Sequence, residues 1–178
     1  LVLNGWYIIG LLITLAEVTM IPNIKSILYV SDIEDGSRPA FRMAVSLAKQ
    51  YDASVTFLHV IVPMPDSVKV ALQNTLSVET YAKMQSDGVS KLKEIIGERI
   101  DAFCSSELGN LEWAPKFETL IVQGAIHHEI IEAAARQGAD MIVMGTRTHS
   151  ATKQFFMGST ANKVMRYSDV PVLVVPLS

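Results

Sequence analysis

Three features of this chain predict an α/β fold built on an open five-stranded parallel sheet with helices on both faces. Short apolar runs rich in β-branched residues alternate with segments of helical periodicity. The runs lack clean in/out alternation, as strands buried on both faces do. Hydrophobic residues make up 49% of the 178 residues and aromatics 7%, a balance that predicts an aliphatic core of Val, Ile, Leu, Ala and Met. One domain is the simplest organisation at this length, with enough chain to bury a sizeable core.

Residues 25–31 (KSILYVS) read as the first strand, stopping at the polar loop SDIEDGS. Ser37 is placed to cap a helix that tolerates Pro39 in its first turn. Ala40, Phe41, Ala44, Val45 and Ala48 then recur at helical spacing. Residues 54–62 (SVTFLHVIV) form a second apolar strand, broken by Pro63 and Pro65. A long helix is expected over residues 78–104, preceded by a shorter one, with apolar positions at Val70, Leu72, Met84, Leu92 and Ile95. Residues 116–123 (KFETLIVQ) are the third strand, residues 126–137 a helix, and Gly138 its stop. Residues 139–144 (ADMIVM) form a fourth strand ending at Gly145, residues 159–167 a helix, and residues 172–175 a fifth strand. The strand–helix alternation predicts right-handed crossovers.

Residues 1–19 are unlike the rest. No charge occurs before Glu17, and no Lys or Arg precedes the apolar run. It is short for a spanning helix, which needs about 20 residues. Met20, directly before IPNIKSILYV, reads as the start of a single domain over residues 20–178. Three readings of the segment stand side by side: an extension outside the native fold, a membrane-associating segment, or an extra packed element.

A net charge of −3 and a pI near 5.8 provide no electrostatic footprint for nucleic acid. The lone Cys104 excludes an intramolecular disulfide and fits a reducing compartment, hence the cytoplasm. With no base beside it in sequence, it reads as a small hydrophobe.

In a sheet of this kind ligands bind beyond the carboxyl ends of the strands, where strand order reverses. The residues there are Val30, Ser31 and Asp32, then Val60, Gly124, Met144 and Gly145. The segment MGTRTHSATKQFFMGSTANKV follows the fourth strand. Gly145 lets a ligand approach the backbone, and Gly158, Ser159 and Thr160 open a helix whose free N–H groups and dipole suit an anion. Arg147 and Lys153 add positive charge. The spacing matches neither the P-loop nor G-x-G-x-x-G. The segment therefore has two readings, a phosphate cradle or a strand-end turn with Ser159 as an ordinary N-cap. Asp32 has two as well: a carboxylate for a metal or hydroxyl, or a cap for the first helix.

Among the histidines, His59 lies inside an apolar strand and reads as a hydrogen-bonded core residue. His127 and His128 are adjacent, so they cannot readily face one metal, and His149 sits in the loop. The spacings assemble no metal cluster and no Ser/His/Asp arrangement.

The succession ILYVSD, VTFLHVI, VQGAIHHEII and GADMIVMGTRTHSATKQFFMGSTANKVMRYSDVPVLVV resembles the universal stress protein family over residues 25–176. The resemblance implies the adenine nucleotide alpha hydrolase-like fold, with strand order 3-2-1-4-5. The family's nucleotide-binding branch carries G-x2-G-x9-G-[ST], matched here by Gly145, Gly158 and Ser159. Thr148 replaces the second glycine. A β-branched residue is poorly suited to a positive φ, and its Cβ crowds phosphates, although its hydroxyl is a donor.

Carried over residue by residue, the resemblance puts Asp32 near ribose, phosphates or metal, with Val30 and Ser31 beside the base. The backbone of Val60 would pair with the adenine edge, and Met144 and Gly145 would border the ribose. Arg147, Thr148, Gly158, Ser159 and Thr160 would surround the triphosphate of ATP. Mg²⁺ would be held mainly by phosphate oxygens and water. A homodimer is expected through the edge strand of residues 172–175, with Val172 and Val175 at its ends. The function implied is an ATP-binding regulator or sensor with slow or negligible turnover. The rival readings are an interaction module that binds no nucleotide, a weak ATPase, and a membrane-linked regulator of a transporter.

Overall fold

The structure is a computed structural model that describes residues 22–109, 112–147 and 157–177. The apolar segment 1–19, Thr148, His149 and Lys153 lie outside the described residues, and of Arg147 only the backbone is described. The strands are β1 (Ser26–Val30), β2 (Ser54–Ile61), β3 (Phe117–Gln123), β4 (Met141–Arg147) and β5 (Val172–Leu177). They pair in parallel in the order β3-β2-β1-β4-β5. The helices are α1 (Arg38–Tyr51), α2 (Asp66–Thr75), α3 (Val78–Leu108), α4 (Ile126–Gln137) and α5 (Ser159–Tyr167). This is the expected adenine nucleotide alpha hydrolase-like arrangement.

Local chemistry explains the element ends. The Asp140 carboxylate accepts from the N–H groups of Lys25 at 2.7 Å and Ser26 at 2.9 Å, tying the start of β1 to the start of β4. Gly138, at φ 59°, ends α4 in the left-handed conformation that glycine adopts without steric cost. Ser37 holds the N-cap position of α1, but its hydroxyl donates to the Glu34 carbonyl at 2.7 Å and caps no helical N–H. A 3-10 turn over Asp35–Ser37 precedes the helix instead.

Successive side chains of each strand point to opposite faces, so the sheet divides two cores. One holds Leu28, Leu58, Ile142 and Met144 against Ile130 and Ala133 of α4 and Ala161 and Val164 of α5. The other holds Ile27, Tyr29, Phe57 and Val143 against α1 and the last turns of α3. Both are mainly aliphatic as expected, and the second adds a group of aromatic rings. Tyr29 and Phe57 meet edge to face at 4.9 Å, Phe41 and Phe103 at 5.0 Å, and Phe117 packs on Phe41 at 5.9 Å. Distant segments thus bring the few aromatics of the chain to one face. Each such pair contributes about 0.5–1.5 kcal/mol beyond its buried area.

Two strands run longer than expected. β4 continues through Gly145 to Arg147 because β5 extends beside it, with Gly145 opposite Val175 and Arg147 opposite Leu177. The other departure is larger. α2 has no buried residue, and α3 buries only Ile96, Ile100 and Cys104. α3 descends toward the start of β3, antiparallel to the strands, so its unburied first part stands beyond their carboxyl ends. At 1.5 Å per residue, residues 78–95 span about 27 Å. Among the described residues no helix is long and apolar enough to cross a membrane.

Candidate functional site

From β1 the chain builds outward first through β2 and β3, then through β4 and β5 on the other side. At the carboxyl ends of β1 and β4, where that reversal occurs, lies a cavity of about 340 Å³. That is the size and place expected of a small-ligand site in an open α/β sheet. Val30, Ser31, Asp32, Val60, Met144, Gly145, Gly158, Ser159 and Thr160 all border it. Of the other expected site residues, the side chain of Arg147 and all of Thr148 lie outside the described residues. The sequence reading did not anticipate Tyr29, Ser37, Ala40, His59 or Thr146, nor the apolar wall of Ile126, Ile130, Ala161 and Leu177. One signal was available: Ile126 and Ile130 are four residues apart on one helical face, opening directly after a strand end.

The backbone of Val60 faces the gap. Leu58 accepts from Ser31 N–H at 3.1 Å and Ile61 from Gly124 N–H at 3.0 Å, so alternate residues of β2 address β1 and β3. Val60 shares the direction of Leu58. β1 pairs only as far as Val30 opposite Leu58, so the Val60 peptide groups point past its end. A planar ligand with a donor and an acceptor on one edge suits that geometry.

Asp32 sits on a strained loop. Ile33 has φ 63°, an outlier for a β-branched residue and a cost of about 1–2 kcal/mol. Three contacts offset it. The Ile33 N–H donates to Ser31 Oγ at 3.0 Å, and Arg99 Nη2 donates to the Ile33 carbonyl at 3.3 Å. Its side chain is buried in the core beside α1 and α3, worth about 1.5–3 kcal/mol and the largest of the three. The Glu34 N–H donates to Asp32 Oδ1 at 3.3 Å, so the carboxylate turns back on its own loop and does not cap α1.

Across the cavity, α5 begins at Ser159 with Gly158, not Ser159, at its N-cap. Gly158 N–H donates to Thr146 Oγ1 at 3.1 Å, which joins the end of β4 to the start of α5. The first intrahelical bond runs from Asn162 N–H to the Gly158 carbonyl at 3.0 Å. The N–H groups of Ser159, Thr160 and Ala161 precede it and are the helix's outward donors. Gly145 borders the cavity and is also held to glycine by its neighbour. A Cβ there would stand 2.8 Å from Leu177 Cγ, so the open side of this glycine is filled by β5.

His59 is hydrogen-bonded as expected, through Nδ1 to the Ser31 carbonyl at 2.9 Å, but it is half-buried and borders the cavity. The carbonyl partner makes Nδ1 the protonated nitrogen of the neutral ring. Burial pushes the Tyr29 hydroxyl up to about 12, so it stays a donor, to the Ser37 carbonyl at 3.2 Å. Burial, with Asp101 adding to it, pushes the Cys104 thiol up to about 12 as well. A thiol so placed is no nucleophile near neutral pH, in agreement with its reading as a small hydrophobe. Among the described residues no group of three or more His, Cys, Asp or Glu could hold a metal ion.

Residues 23–176 match the family model described as the Universal stress protein family. Universal stress protein MJ0531 of Methanocaldococcus jannaschii is 30% identical over 152 residues, 85% of this chain and 81% of its own length. The solved structure of MJ0577 is 25% identical with a TM-score of 0.62, covering 88% of this chain and 98% of that one. A universal stress protein solved in complex with cAMP shares the fold, at 20% identity and a TM-score of 0.52, over 88% of this chain and 99% of its own.

Proposed function

Because this chain belongs to the universal stress protein family, we propose that its cavity binds ATP and that the protein is a cytoplasmic regulatory dimer. The observation that carries the reading is the meeting, around one cavity, of Asp32, the outward edge of Val60 and the N-terminus of α5. The Val60 peptide suits the edge of adenine, Met144 and Ile126 suit its faces, and the helix donors with the Ser159 and Thr160 hydroxyls suit phosphates. Asp32 is the one carboxylate among the described residues of the cavity wall. Mg²⁺ would be held by phosphate oxygens and water with Asp32 beside them.

The reading assigns slow or negligible turnover. Tyr29 holds its proton, which leaves His59 Nε2 and the Asp32 carboxylate as the groups of the described wall that could accept a proton from water. Calorimetric titration of Mg·ATP into the full chain is the test, with AMP as the control. Micromolar, triphosphate-dependent binding that drops at least tenfold in Asp32→Ala is expected, one charge-assisted contact being worth about that much. Equal binding by the variant would overturn the site, and turnover above about 1 s⁻¹ would make the protein an enzyme. A wild type that binds nothing would favour the interaction-module reading, for which Thr148 in place of glycine is the supporting feature.

A dimer through the β5 edge is part of the proposal. Among the described residues β5 pairs with β4 alone, and an apolar edge needs cover.

A further inference from the structure

We propose that Arg99, on α3, is a positioning residue for Asp32 and acts on it through a single peptide plane. This rests on the nucleotide reading of the cavity. The carbonyl of Ile33 and the N–H of Glu34 belong to the same peptide unit. Arg99 Nη2 donates to that carbonyl at 3.3 Å, and that N–H donates to Asp32 Oδ1 at 3.3 Å. The unit is planar and trans, so its C=O and N–H point in opposite directions and turn together. Holding the carbonyl therefore aims the N–H, and the N–H aims the carboxylate that borders the cavity.

The plane needs holding. It follows Ile33, whose φ of 63° is a conformation that β-branched residues seldom keep unaided. Burial of the Ile33 side chain anchors the residue but leaves the rotation of the next peptide to its hydrogen bonds. A guanidinium also polarises the peptide it binds, strengthening the bond at the far end. Arg99 touches neither the cavity nor the carboxylate directly among these contacts, so its effect on a ligand passes through Asp32. It also lies three residues beyond Ile96, where α3 begins to bury side chains. The free half of that helix is thereby connected to the loop that carries Asp32.

The test has two arms on the full chain. The first needs no ligand: the Glu34 amide proton shift is followed by NMR while Asp32 titrates. In wild type the amide should track the carboxylate. In Arg99→Ala the dependence should shrink, and in Arg99→Lys it should largely return. The second arm is Mg·ATP affinity. Arg99→Ala should weaken binding about fivefold, the size of one partly exposed hydrogen bond, with Arg99→Lys within about twofold of wild type. In an Asp32→Ala background, Arg99→Ala should cost nothing more, because the two act as one unit.

An unchanged Glu34 titration in Arg99→Ala overturns the proposal, whatever the ligand does. So does an additive loss in the Asp32→Ala background, which would mark Arg99 as merely structural. A wild type that binds no nucleotide overturns the reading of the cavity and with it the role in binding, while the NMR arm still decides the relay.

Discussion

Gly145 and Gly158 are equivalent in the sequence motif and opposite in the structure. Among the described residues a Cβ at Gly158 would meet only Thr146 Oγ1, at an ordinary 3.7 Å. At Gly145 it would collide with Leu177. Gly158→Val should therefore cost only about 0.5–1 kcal/mol, the loss of a favourable N-cap residue, while reducing ATP affinity at least tenfold. Gly145→Val should cost about 1–3 kcal/mol by overpacking. Denaturant melts and calorimetry on the two variants separate these effects, and equal destabilisation by both would sink the distinction. Both glycines were legible as motif positions. That one faces a neighbouring strand was not, because it depends on β5 running two residues further than its apolar run suggests.

The paired helices α2 and α3 show the limit of reading apolar positions as inward-facing. Val70, Met84, Leu92 and Ile95 recur as core positions would, yet each is at least 40% exposed. Only the segment of α3 that lies alongside the sheet buries anything. Replacing residues 66–92 by a short Gly/Ser linker should remove helical signal yet lower stability by less than about 1 kcal/mol, since no buried side chain is lost. Circular dichroism with urea melts checks this. A loss of several kcal/mol would show that the projecting pair supports the fold. By contrast the helices that cover the sheet, α1, α4 and α5, were legible to within a residue or two, because glycines, prolines and turn residues flank them and their periodic faces are buried.

Among the described residues the outer edge of β5 pairs with no other strand. Ile142 N–H donates to the Pro171 carbonyl at 2.9 Å, so odd-numbered residues of β5 address β4 and even-numbered ones address the open edge. Pro176 falls on the outward set, where its missing N–H costs the sheet nothing and would end the proposed pairing with a second copy. Val172 and Val174 are left as the outward donors. Val174→Pro removes one of them without touching the ladder to β4. Analytical ultracentrifugation should find the wild type dimeric and this variant monomeric at micromolar concentration, with the melt little changed. A variant that stays dimeric would move the interface elsewhere.

The sequence by itself determined the class of fold, the register of strands and covering helices along the chain, and the family to which the chain belongs. It did so because those properties are local: periodicity, caps, stops and a glycine motif are written within a few residues of one another. It also placed Val30, Ser31, Asp32 and Met144 near one another, since strand ends in a parallel sheet share an edge, while Gly158 joined them through the family resemblance. The tertiary structure alone decided that aromatic rings gather on one face, that Leu177 fills the space beside Gly145, and that Thr146 fastens the start of α5. It alone brought Arg99 to the carbonyl of Ile33 across 66 residues of sequence. Such contacts join segments far apart in the chain, and no periodicity records which side chain will meet which backbone atom once the layers close.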